Sequence, residues 1–114
     1  TLEENLRFAM EDETSEAEEV YPTFARIARE EGFAQIALKF EQVAKVESHH
    51  RIIFSYLFEA FKDGSLYSAD RPMLWICSEC GYMHTSKEAW NICPLCGASQ
   101  GEVQVHLPFA KEKL

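Results

Sequence analysis

Residues 44–54, AKVESHHRIIF, put Glu47 and His50 three positions apart in the middle of a segment with helical periodicity. Upstream, the apolar positions Ile36, Phe40 and Val43 advance in steps of three and four, and the next steps land on Glu47, His50 and Phe54. Leu57, Phe58 and Phe61 continue the stripe. Residues i and i+3 are neighbours on a helix, so a carboxylate and an imidazole share one face where core residues belong. A buried carboxylate must be protonated, paired with a base or bound to metal, because leaving it charged and alone costs several kcal/mol. Arg7, Arg26, Lys39, Lys45 and Arg51 point elsewhere by helical phase, so metal is the simplest answer. The ordinary alternative, usual for a lone Glu, is a stripe wide enough to leave the acids on its solvated edge.

Residues 3–31 lack internal Gly and are rich in Glu, Ala, Arg and Leu, which predicts a first long helix. Its stripe runs Leu6, Ala9, Met10, Ala17, Val20, Tyr21, Phe24, Ile27 and Ala28, with Glu13 on it and Glu16 beside Ala17. Pro22 removes a hydrogen bond and crowds the Glu18 carbonyl, so a kink is expected there. Gly32 ends this helix, a second runs over about 33–62, and Gly64 stops it. Two long helices joined by so short a turn make an antiparallel αα-hairpin. Ferritin-like di-iron bundles use one Glu from each of two helices and Glu-x-x-His from each of the other two. With one Glu helix and one Glu-x-x-His helix, this chain holds half of such a site.

Beyond the hairpin, 64–72 (GSLYSADRP) reads as a linker. Residues 73–84 and 101–107 read as short strands, the second from the alternation of Val103, Val105 and Leu107. Between them lie the four cysteines, Cys77-x2-Cys80-x12-Cys93-x2-Cys96, each pair followed by a glycine, Gly81 or Gly97. Four thiolates at the corners of one tetrahedron select zinc or iron. Disulfides are possible on paper, but paired C-x-x-C motifs without a leader favour metal in a reducing compartment. Trp75, Tyr82 and Trp90 supply an aromatic core, His84 and His106 read as surface or hydrogen-bonding residues, and His49 lies off the stripe. The expected division is a helical hairpin over 1–64, a linker over 65–72 and a metal domain over 73–114.

The chain's net charge of −8 falls mostly on the hairpin, where residues 1–64 carry 14 acids and 7 bases. An acidic chain without a basic cluster argues against nucleic acid and anionic membranes as partners. No apolar run approaches 18 residues and no signal-peptide pattern opens the chain, so a cytoplasmic protein is expected. The opening Thr commonly follows a removed initiator Met, which suits a complete protein.

Taken in order, these motifs resemble rubrerythrin over nearly the whole chain. Glu13-x-x-Glu16, Tyr21-Pro22-x-Phe24-x-x-Ile27-Ala28 and Glu31-Gly32 look like the third bundle helix of that family. Ala44-x-x-Glu47-x-x-His50-x-x-x-Phe54 is similar to its fourth. Trp75-x-Cys77-x-x-Cys80-Gly81-Tyr82 and Cys93-Pro94-x-Cys96 look like its rubredoxin-type tail. The resemblance implies half of a ferritin-like bundle, completed by a partner, plus a small rubredoxin-like β domain. It implies a peroxidase that reduces hydrogen peroxide to water at a non-haem di-iron centre, fed by a mononuclear tetrathiolate iron. Carried over, Glu13 is a terminal ligand, Glu47 a bridging carboxylate, His50 a terminal imidazole and Glu16 an additional ligand of one redox state. Tyr21 is a phenol that hydrogen-bonds a ligand carboxylate, and Cys77, Cys80, Cys93 and Cys96 hold the mononuclear iron, with zinc as a possible substitute.

Rubrerythrins begin with two further helices that bring the other Glu and Glu-x-x-His. Either two copies of this hairpin share one site, or a longer chain or separate chain supplies the missing half. Both require a partner, and both require an upstream electron donor. Two other functions remain open: a zinc-ribbon adaptor built on a helical dimer, and a ferroxidase or iron store. Colour separates iron from zinc, since a ferric tetrathiolate is red and a zinc site colourless.

Overall fold

The structure, a computed structural model, describes residues 1–107. The chain forms two compact units, Thr1–Lys62 and one beginning at Asp63. The last stretch of the expected metal domain, residues 108–114, lies outside the described residues. Among the described residues no helix is long and apolar enough to cross a membrane.

The first unit contains α1 (Leu2–Ser15), a π-helical turn (Glu16–Val20), α2 (Tyr21–Glu30) and α3 (Ala34–Asp63). The expected kink at Pro22 is thus replaced by a π-turn just before it. In that turn the Tyr21 N–H bonds the Glu16 carbonyl, five residues back. Pro22 falls in the first turn of α2, where a missing N–H is tolerated. At the far end Gly32 takes φ +89°, the Phe33 N–H bonds the Ala28 carbonyl and the Gly32 N–H bonds that of Arg29. This is a Schellman closure, and its left-handed residue favours glycine. Arg29 then ties α2 to α3, placing Nε and Nη2 at 2.9 and 2.7 Å from Glu41 Oε1.

The packing corrects the apolar stripes read from sequence. On α2 the buried residues are Ala25 and Ala28, while Phe24 and Ile27, and Val20 at the end of the π-turn, are exposed. On α3 they are Ala37 and Ala60, while Ile36 and Phe61 are exposed. Among the described residues of this unit, only alanines are buried. A two-helix hairpin has one seam; small residues fill it, and the large ones flank it on an open face. Phe24, Ile27, Phe33, Ile36 and Phe40 line a groove of about 370 Å³ on that face.

The second unit is a small β structure with β1 (Ser68–Ile76) antiparallel to β2 (Met83–Glu88), pairing Trp75 with His84 and Ile76 with Met83. The linker expected over 65–72 therefore gives way to strand at Ser68, with irregular pairing between Ser68 and Met73. The strand expected over 73–84 is two strands around the first cysteine turn. The strand expected over 101–107 is a 3₁₀ turn (Gln100–Glu102) followed by one bridge, Val103 to Cys77. Backbone pairing with β1 goes only as far as the Gln104 N–H on the Ile76 carbonyl. Farther on, the His106 ring takes over, with Nε2 2.9 Å from the Leu74 oxygen. Trp75, Ala89 and Val103 form the core, with Tyr67, Met73 and Trp90 against it.

Candidate metal centres

Glu13 on α1 and Glu47 and His50 on α3 converge, with one ligand atom from each lying within 4.8 Å of the others. His50 Nδ1 is 3.1 Å from Glu47 Oε2 and 3.6 Å from Glu13 Oε2. Both carboxylates are largely shielded, with side chains 18 % (Glu13) and 15 % (Glu47) exposed. Burial pushes the Glu13 carboxyl up to about 7, aided by its hydrogen bond to Glu47 and by the charges of Glu47 and Glu16. His50 opposes this shift. Glu47 moves down instead, chiefly because Glu13 donates to it, with His50 and Glu16 as further partners and burial opposing. Glu16 therefore stands beside the trio, on the first residue of the π-turn.

Tyr21 is placed elsewhere. Its ring stacks on Phe40 and meets Phe24 edge-on, each at 6.1 Å between centroids. Eight residues separate it from Glu13, about two helical turns along the axis. It belongs to the aromatic layer next to the carboxylates of this chain rather than to their cluster.

Cation chemistry fits the trio. Glu13 Oε2 is buried and accepts no hydrogen bond, a state that costs free energy unless a ligand uses the lone pairs. Two carboxylate oxygens and an imidazole nitrogen are a donor set suited to iron.

The second centre is better defined. Each cysteine pair sits on a turn closed by a glycine: the Gly81 N–H bonds the Cys77 carbonyl and the Gly97 N–H that of Cys93. Both glycines have positive φ, 82° and 79°. The sulfurs of Cys77 and Cys96 are 3.8 Å apart, and those of Cys80 and Cys93 are 3.7 Å apart. A disulfide would bring them to about 2.05 Å. A tetrahedron with metal–sulfur bonds of about 2.3 Å has edges of about 3.8 Å, so the cage already has metal dimensions. Burial would raise the Cys93 thiol, but the N–H groups of Cys96 and Leu95 outweigh it and bring it down to about 7. Cys96 is pushed up to about 12: the Ala98 N–H favours its thiolate, but burial and the other three thiols prevail. The four cannot all ionise side by side without a cation.

Two family models match, "Rubrerythrin" over residues 4–72 and "Rubrerythrin, rubredoxin-like domain" over residues 75–102. The chain belongs to the rubrerythrin family. It is 43 % identical over 97 residues to a rubrerythrin of Porphyromonas gingivalis, covering 85 % of this chain and 48 % of that protein. A rubrerythrin of Clostridium perfringens is 38 % identical over 101 residues, covering 89 % of this chain and 52 % of that one. The chain thus spans about half the length of the curated relatives it matches. Its fold is similar to that of nigerythrin in a mixed-valence state (TM-score 0.53, 24 % identity, 93 % of this chain and 50 % of that one). The rubrerythrin cofactors, a ferritin-like di-iron centre and a rubredoxin-like iron, agree with the two clusters. The π-turn is what sequence reading missed. Its signal was Pro22, one turn past a run of acids that otherwise favours unbroken helix.

Proposed function

We propose that this chain is half of a peroxide-reducing rubrerythrin centre together with that centre's electron-transfer tail, working in the cytoplasm in oxidative-stress defence. In this reading Glu13, Glu47 and His50, with Glu16 alongside, hold their share of the di-iron site, and Cys77, Cys80, Cys93 and Cys96 hold the mononuclear iron. The observation that carries it is the presence in one chain of two dissimilar donor sets. One is an incomplete oxygen–nitrogen set with an orphaned Glu13 oxygen, the other a complete sulfur cage. A zinc-ribbon adaptor would account for the second and leave the first without a purpose.

When bound, the irons supply the electrons that turn hydrogen peroxide and two protons into two waters, and an external donor replenishes them. The chain's own residues provide the setting. Glu13 keeps its proton up to about pH 7 and yields it as its oxygen becomes a ligand. His50 presents Nδ1, the nitrogen that converges with the carboxylates. Tyr21, Phe24 and Phe40 form an aromatic wall that limits water. Tyr21, two turns from its own chain's carboxylates, would hydrogen-bond a ligand carboxylate of the completing half. That half is a second hairpin with one Glu and one Glu-x-x-His, from another copy of this chain or from a further segment or chain.

The test is to reduce the iron-loaded protein anaerobically and add one equivalent of hydrogen peroxide. Prompt return of the red tetrathiolate absorption is expected. A return no faster than in protein with zinc at the helical site would refute the reading.

A further inference from the structure

The stretch from Glu102 to His106 runs alongside the end of β1 that leads into the first cysteine turn, and its rungs can be followed in order. The Ser78 N–H bonds the Glu102 carbonyl at 2.8 Å, Cys77 bridges Val103, and the Gln104 N–H bonds the Ile76 carbonyl at 2.9 Å. Hydrogen-bonded pairs of an antiparallel ladder recur every second residue on each strand, so the next pair is Leu74 with His106. A regular ladder would use the His106 backbone N–H there. The imidazole stands in for it, with Nε2 2.9 Å from the Leu74 oxygen. A carbonyl only accepts, so Nε2 carries the proton.

The same ring meets Trp75 edge-on, with centroids 4.8 Å apart. Trp75 is 1 % exposed, its indole N–H bonds the Ser86 carbonyl at 2.9 Å, and it stands two residues before Cys77. His106 is itself exposed and is not among the cysteine ligands. Its route to the cage is through Leu74 and Trp75.

We propose that His106 is a positioning residue of the tetrathiolate site. Its Nε2–H replaces the missing backbone rung and holds Leu74, Trp75 and Ile76 on the course that delivers Cys77 and Cys80. The inference rests on the cysteines being a metal cage and needs neither the helical site nor the peroxidase reading.

The test uses the full chain with zinc in the cysteine cage and three substitutions. His106→Gln keeps an amide donor at the reach of Nε2, His106→Phe keeps a ring on Trp75 without a donor, and His106→Leu keeps neither. Losing one exposed hydrogen bond shifts a local opening equilibrium by up to about tenfold. In His106→Leu, hydrogen exchange at the Trp75 indole and the Gln104 amide should therefore quicken by about three- to tenfold, and zinc transfer to a chelator with it. The Gly97 amide, bonded to Cys93 in the other cysteine turn, should keep its rate. His106→Gln should restore most of the protection and His106→Phe little of it. Unchanged exchange or unchanged zinc transfer in His106→Leu would overturn the proposal, as would equal quickening at Gly97, the mark of a global effect. It is also wrong if Gln gives no rescue, or if Phe rescues as well as Gln, since packing would then suffice. Should His106→Leu hold no zinc at all, His106→Gln decides: retained zinc supports the proposal and lost zinc refutes it.

Discussion

Replacing Glu47 by Gln probes the helical centre with little change of shape. The amide oxygen can still face His50 Nδ1, now 3.1 Å from a carboxylate oxygen, so α3 should keep its course. The charge is what disappears. In the metal-free protein two of the influences that raise Glu13, the hydrogen bond to Glu47 and the Glu47 charge, are weakened or lost, while burial remains. The Glu13 carboxyl should therefore titrate below about 7 yet above its ordinary 4.5, which ¹³C-detected NMR of the side chain can follow. With metal, a neutral amide replaces one of two anionic donors in a set of three. A loss of about 100-fold in affinity, near 2.7 kcal/mol, is a reasonable floor for removing such a donor. Peroxide consumption should fall to background. The tetrathiolate absorption should persist, because the cysteines belong to the other compact unit. Unchanged turnover with full iron loading would refute the assignment of Glu47, and loss of both signals would mean a folding defect instead.

Other outcomes follow from the same geometry. Below about pH 7, divalent-metal affinity at the helical site should drop up to tenfold per pH unit, because ligation removes a proton from Glu13. Titration calorimetry in buffers of different ionisation enthalpy would show that proton, and pH-independent affinity between 5 and 7 would contradict it. Cys96→Ser should abolish the red absorption and lower the thermal stability of the β unit, while leaving the helical far-ultraviolet signal in place. Ala37→Leu inserts a large side chain at a position with 0 % exposure. It should cost about 1–3 kcal/mol by overpacking, seen as an earlier melt of the helical signal.

The sequence was most legible where chemistry dictates spacing. The cysteine turns needed only their pairs and following glycines, and Glu47 and His50 stood out because they interrupt an apolar stripe. The end of the first helix was readable from Gly32, whose positive φ the Schellman turn uses. Legibility failed where one residue changes phase. A uniform 3.6-residue period put Phe24, Ile27 and Ala28 on one stripe; of these only Ala28 is buried, and Ala25, off the stripe, is buried with it. In the β unit, the alternation of Val103, Val105 and Leu107 looked like a strand. Only Val103 is both buried and bridged, to Cys77 just past β1, and His106 uses its ring where a ladder would use backbone. Tyr21 shows another limit: its place along the helix was clear, but its neighbours depended on how α2 turns toward α3.

The central claim, that this chain contributes to a di-iron centre as well as to a tetrathiolate iron, reduces to a count. Iron per chain should be measured on a sized peak of protein loaded with ferrous iron without oxygen, alongside its intact mass. More than one iron per chain is expected: two if a pair of copies shares a helical site, three if a further segment or chain completes one bundle per copy. One iron per chain, or only zinc, would contradict the account.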